Sequence, residues 1–198
     1  MERLQEVAAG VSRAGAIVGG AMLLVASLVV CVDIFLRYAF SMTVGGADEL
    51  SGYALAIASA WGFSAALLSR SHIRIDTAYV RVPRRARAVL DLLSLACFTL
   101  FFGLVTWHAW GVLRQSWVSD SHSQSAIEMP LVYPQALWFA GLAFLIAVAL
   151  LLLARALDSW FKGELDRLFE TIGSKSAVAE AKEEIVAVEH AFEQARKK

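Results

Sequence analysis

Residues 37–76 read RYAFSMTVGGADELSGYALAIASAWGFSAALLSRSHIRID, and this stretch places one apolar segment between two groups of ionisable residues. Residues 50–69 contain no charged side chain, and about 20 such residues are what a helix needs to cross a bilayer. The ionisable residues lie close to the two ends of the segment: Arg37, Asp48 and Glu49 before it, and His72, Arg74 and Asp76 after it. Charges at these positions lie where a membrane meets water, so they can form contacts without burial at mid-membrane.

The composition of the whole chain agrees with a membrane protein. Apolar residues make up 58% of the 198 residues and charged residues 18%, whereas a soluble domain carries about 25% charged residues. The formal net charge is zero, and no basic surface with interleaved aromatic residues is indicated outside one short loop. A nucleic-acid partner is therefore not expected, and the lipid bilayer is.

Three further segments have the same character. Residues 14–36 contain one charge, Asp33, and residues 92–113 and 129–154 contain none. The first segment is longer than the apolar part of a signal peptide and no clear cleavage site follows it, so we interpret it as an uncleaved span. A single-chain barrel would need many short alternating segments, which are absent. The sequence predicts an all-α membrane domain over residues 1–157, with transmembrane helices at about 14–36, 50–69, 90–113 and 134–155.

The distribution of arginine and lysine predicts the orientation. Six arginines lie between the second and third spans, whereas Arg37 and Arg114 are the only basic residues in the other two loops. Basic residues concentrate on the cytoplasmic side of membrane proteins. We therefore expect a multi-pass protein of the bacterial inner membrane with both termini in the cytoplasm.

The interiors of the spans indicate packing rather than chemistry. Small residues recur every three or four positions in the second and fourth spans: Ala54, Ala58, Gly62 and Ala66, and Ala136, Ala140, Ala143 and Ala147. Such stripes allow helices to approach closely, either within the chain or against a separate subunit. The sequence shows no chain of carboxylates, broken helix pair or inverted repeat of the kind that transporters use for a substrate site. It also shows no nucleophile with a base and no metal-ligand spacing, and the histidines lie too far apart for haem. We predict a helper protein that is not an enzyme and has no cofactor.

Two interpretations of the charged residues remain open. Asp33 and Arg37 are four residues apart and can pair on one helix face, and Asp48 or Glu49 can cap the second span. Alternatively, Arg37 and Glu49 connect the first loop to another chain. Residues His72, Arg74 and Asp76 can form a solvated cytoplasmic turn or a contact.

Several motifs in order resemble one family. Arg37-Tyr38-x-Phe40, the acidic pair Asp48-Glu49, Trp61-Gly62 and the run His72–Asp76 are similar to the small membrane subunit of tripartite ATP-independent periplasmic (TRAP) transporters, the DctQ or Q component. The resemblance covers about residues 14–157. Ser41 stands where the family often has Asn, and Gly46-Ala47 stand where an aromatic residue often precedes the acidic pair.

The resemblance implies a partner-dependent function. The small subunit of such systems binds a large membrane subunit that holds the sodium and substrate sites, while a periplasmic substrate-binding protein captures an organic acid. By this resemblance Arg37, Asp48 and Glu49 are outward-side contact residues. His72, Arg74 and Asp76 are cytoplasmic-side contact or structural residues, and Trp61 and Gly62 are packing residues. Sodium is expected on the large partner and not on this chain.

Residues 158–198 are expected to form a cytoplasmic, helical tail. Apolar residues from Leu157 to Ile172 fall at helical spacing with charged residues between them, which predicts an amphipathic helix in the cytoplasmic membrane interface. Gly173-Ser174 interrupts it, and apolar residues from Val178 to Phe192 then follow a spacing of three and four, typical of a solvated or partner-docking helix.

Two other classes of function remain. A four-span adaptor unrelated to transport predicts that solute uptake does not depend on this chain. A self-sufficient small transporter or channel predicts uptake or conductance by the purified chain alone, and the uncharged spans argue against it.

Overall fold

The structure is a computed structural model that describes residues 2–70 and 82–173. These residues form five helices: α1 Glu2–Phe40, α2 Ala47–Leu68, α3 Arg84–Val118, α4 Val132–Phe161 and α5 Leu165–Ile172. The described part contains no β-strand, only an isolated bridge between His122 and Pro130. The first four helices are long and apolar enough to cross a membrane, which confirms the predicted all-α, four-span architecture.

The helices extend beyond the predicted spans. The 39 residues of α1 cover about 58 Å at about 1.5 Å per residue, almost twice the thickness of the hydrocarbon layer. Helix α3 begins at Arg84 and α4 continues to Phe161. The apolar segments therefore predicted the existence of the four helices but not the full length of their helical backbone. Pro134 lies in the first turn of α4, where its missing N–H costs little.

Helix α4 lies at the centre of the molecule. It packs against α2 on one side and α3 on the other, and α1 packs mainly against α2. The largest buried cluster is built around Leu145, Val148 and Leu152 of α4, with Leu95 of α3 and Leu67 of α2. We call the end that holds residues 41–46 and 119–131 the loop end, and the opposite end the α5 end.

The start of the tail differs from its prediction. Residues 157–161 belong to α4, and the chain then turns at Gly163, whose φ is 73°. The separate helix α5 buries Leu168 and Ile172 in the main cluster against the bundle. The apolar side chains of α5 that the sequence placed in the membrane interface are thus packed against the main cluster, whereas Phe161 at the end of α4 is 82% exposed. Residues 174–198 lie outside the described residues.

Candidate functional site

At the loop end, the carboxylate of Asp33 organises the first loop. Thr43 Oγ1 and the Val44 N–H both donate to Asp33 Oδ1 at 2.7 Å. The other carboxylate oxygen accepts from Arg37 at 2.7 Å, which confirms the predicted pair on one face of α1. Asp33 is 2% exposed, and these three donors give a buried carboxylate the partners that it needs. The loop from 41 to 46 is therefore held against the end of α1.

Glu49 connects the first loop to the segment between α3 and α4. The hydroxyls of Tyr53 and Ser123 both donate to its carboxylate, and Ser123 also contacts Ser125 through their hydroxyls at 2.9 Å. The Ser123 N–H donates to the Met129 carbonyl at 2.9 Å, which closes the segment into a tight loop. One acidic side chain thus joins two loops that are 74 residues apart in sequence.

Two glycines allow the loops to touch. Gly45 and Gly46 have φ angles of 72° and 76°, the left-handed region that favours glycine. A Cβ atom on Gly46 would lie 2.5 Å from Ile127 Cδ1, and one on Gly45 would lie 3.1 Å from the Ala126 Cβ. The absence of a side chain at these two glycines therefore leaves room for the side chains of Ala126 and Ile127. We call this assembly of residues 41–49 and 123–127 the loop contact.

The predicted contact residues differ in how accessible their side chains are to a partner chain. Asp48 has an 88% exposed side chain and lies 4.0 Å from Arg37, whose side chain is 56% exposed. Glu49, by contrast, is engaged within the chain. Neither acid caps α2, because the N-cap is Gly46 and no side chain bonds to the cap. Contact with another chain stays a prediction for Arg37, Asp48 and Glu49. His72, Arg74 and Asp76 lie outside the described residues.

Trp61 lies between three helices. Its ring fits against Gly15 of α1 and Gly141 of α4, where an added Cβ would come within 2.7 Å and 2.8 Å of ring atoms. The indole N–H donates to the Leu137 carbonyl at 3.2 Å, and the ring stacks on Phe144 at 5.7 Å. Trp61 therefore packs between α1, α2 and α4, and the role that the resemblance implies for it stays a prediction. Gly62 has no atom within 4 Å of an added Cβ among the described residues, so it does not mark a close helix contact there.

A polar contact between α1 and α2 was not predicted from the sequence. The hydroxyls of Ser12 and Ser64 are 2.9 Å apart and buried, and Ser64 also donates to the Trp61 carbonyl at 2.7 Å. One turn away from Gly15, Gly19 allows α1 to approach Ala58, whose Cα would lie 2.8 Å from an added Cβ. The position of Ala58 at this contact could be predicted, because Ala58 belongs to the small-residue stripe of the second span. The pairing of the two serines could not be predicted, since nothing in the sequence connects one with the other.

The described residues contain no group of three or more His, Cys, Asp or Glu side chains that could hold a metal ion. The contacts at the loop end are hydrogen bonds around Asp33 and Glu49 and the close approach of Gly45 and Gly46 to the side chains of Ala126 and Ile127, and they hold the two loops together.

Comparison with known families identifies the chain. The family model described as "Tripartite ATP-independent periplasmic transporters, DctQ component" matches residues 11–159, a range that includes all four predicted spans. Comparisons with curated proteins and with solved structures gave no match. The family comprises transporter components found in the bacterial inner membrane, and the four apolar helices agree with a multi-pass protein. The chain belongs to the DctQ component family of TRAP transporters.

Proposed function

We propose that this chain is the brace subunit of a sodium-coupled importer of organic acids. It binds a large membrane subunit, which carries the sodium and substrate sites, and it presents its loop end to a periplasmic substrate-binding protein. The observation that carries the proposal is the loop contact. In it, Glu49 and the Gly45-Gly46 pair hold the two loops together at the loop end. Saturated contacts of this kind favour one conformation, as a static support requires.

The opposite end supports the same proposal. Arg84 of α3 pairs with Asp166 of α5 and lies 5.8 Å from the centre of the Phe169 ring. The fully buried Leu168 anchors α5 beneath α3 and α4. Contacts therefore connect helices at both ends of the bundle. Movement of one helix is resisted by its neighbours.

The available surfaces agree with a partner in the membrane and one outside it. Helix α1 leaves apolar side chains such as Leu24 and Leu28 exposed along its length, and these can face lipid or a partner helix. Arg37 and Asp48 are exposed at the loop end. We propose these two residues as contacts with the partners, while Glu49 acts indirectly by holding the loop that carries them.

Co-purification tests the proposal. The tagged full chain, extracted from its native bacterial membranes in mild detergent, is expected to bring down a large polytopic protein in near-equal amount. Asp48→Arg should lower that recovery, whereas Glu128→Arg, a charge change at another exposed position of the loop end, should not. Recovery of the chain alone, under conditions that preserve other membrane complexes, would contradict the proposal. Uptake of organic acid that persists without this chain would favour the adaptor alternative.

A further inference from the structure

A cation flanked by two tryptophans lies at the loop end of α3. Trp110, Arg114 and Trp117 are spaced by four and three residues and therefore share one helix face. The tryptophans are 52% and 74% exposed. Within residues 2–70 and 82–173, no carboxylate forms an ion pair with Arg114. This face has no part in the loop contact or in the proposed partner contacts.

A groove runs beside this cation. A cavity of about 370 Å³ lies between α3 and α4, lined by Trp110, Leu113, Arg114 and Trp117 from α3 and by Val132 and Ala136 from α4. The small Ala136 side chain, a member of the fourth-span stripe, leaves the space open. Apart from the guanidinium group, the side chains that line the groove are apolar or aromatic. The groove thus combines one positive charge with an apolar wall.

The depth of this groove follows from the sequence of α3. Residues 92–113 carry no charge, and their 22 residues cover about 33 Å. This length matches the hydrocarbon layer of about 30 Å, so Arg114 lies where hydrocarbon gives way to lipid headgroups. Tryptophan side chains concentrate at the same depth.

We propose that this groove binds one phospholipid, with its phosphate on Arg114 and one acyl chain between α3 and α4. A guanidinium group matches the geometry of a phosphate through two parallel hydrogen bonds. Trp110 and Trp117 flank the headgroup, and the apolar wall from Leu113 to Ala136 receives the chain. A free phosphate ion would use only the cation and leave the apolar wall without a ligand.

Native mass spectrometry of the delipidated full chain in detergent tests this site. Three probes distinguish the contribution of the phosphate from that of the acyl chains. They are phosphatidylglycerol, a diacylglycerol with the same chains and no phosphate, and glycerol phosphate without chains. We expect phosphatidylglycerol to bind most tightly. Arg114→Gln should weaken its binding about tenfold, since hydrogen bonds between charged groups are among the strong ones, and Arg114→Lys, which keeps the charge, should weaken it less.

A second aromatic residue of α3 controls for general effects on the helix. Trp117→Leu should also weaken phosphatidylglycerol binding, whereas Phe101→Leu should not. Phe101 is exposed as well, at 60%, and lies on the same helix outside the groove. The proposal is overturned if Arg114→Gln binds like the unaltered chain or if the Trp117→Leu and Phe101→Leu variants lose binding equally. Diacylglycerol or glycerol phosphate binding as tightly as phosphatidylglycerol would overturn it as well.

Discussion

Two neighbouring carboxylates at the start of α2 have opposite surroundings. Successive residues of a helix point about 100° apart, at about 3.6 residues per turn. Glu49 therefore faces the α3–α4 loop and accepts hydrogen bonds from Tyr53 and Ser123, while Asp48 points outward. The same chemical group thus holds the fold at one position and is available to a partner at the next.

This difference predicts opposite results for two conservative changes. Glu49→Gln removes the charge that accepts both hydroxyl groups, so we expect a lower midpoint of thermal unfolding and faster amide exchange at residues 123–127. Asp48→Asn should change neither, because its side chain is 88% exposed. Hydrogen exchange and thermal unfolding of the two variants in the same detergent measure the effect. Equal results for both variants would mean that Glu49 does not hold the loop contact.

At the scale of the helices, the contact between α1 and α2 depends on small residues at one crossing. Gly19 faces Ala58, and Gly15 faces Trp61, whereas Gly20 has open space around an added Cβ among the described residues. In lipid, helices associate through close packing and polar contacts, because the hydrophobic effect does not drive them together. The Ser12–Ser64 pair and the two glycine contacts therefore position α1, which has few other neighbours.

Adjacent glycines of α1 test this contact directly. Gly19→Ala places a Cβ 2.8 Å from the backbone of Ala58, so the helices must separate, and overpacking of this kind costs about 1–3 kcal/mol. Gly20→Ala adds the same methyl group to open space and gains the same helix propensity. We expect Gly19→Ala to be the less stable variant by that amount in denaturation by sodium dodecyl sulfate. A Gly19→Ala chain as stable as Gly20→Ala would show that α1 does not rest on Ala58.

At the scale of the whole molecule, the four spans alternate in direction, and the loop contact and α5 lie at opposite ends. The arginine-rich end of α3, with Arg84 and Arg85, is at the α5 end, and the sparsely basic loops are at the loop end. The distribution of positive charge predicts that the α5 end faces the cytoplasm. A periplasmic partner would then meet Arg37 and Asp48.

Labelling of single cysteines checks this orientation. In a chain with Cys31 and Cys97 replaced by serine, Met42→Cys should react with a membrane-impermeant maleimide in spheroplasts, since Met42 is 63% exposed at the loop end. Arg85→Cys should react only after the membrane is opened. The reverse pattern would place the loop end in the cytoplasm and exclude a periplasmic contact there.

The features that depend on local chemistry were predictable from the sequence. Three charge-free segments, and a fourth with the single charge Asp33, predicted four membrane helices, because the thickness of hydrocarbon and the need to satisfy backbone hydrogen bonds leave little choice. The spacing of Asp33 and Arg37 predicted their pairing, since residues four apart share a helix face. The ordered motifs between residues 37 and 76 indicated the family that the comparison then matched.

Which segments meet depends on the packing of the whole bundle. Three contacts join residues that are distant in sequence. They are the Glu49–Ser123 contact, the Ser12–Ser64 pair and the packing of Trp61 between Gly15 and Gly141. The position of α5 is a further case, because its apolar face suits a membrane interface as well as a protein core, and the turn at Gly163 directs it into the core. Local periodicity indicates that a helix face consists of apolar or small residues. Which element packs against that face depends on how all the helices pack together.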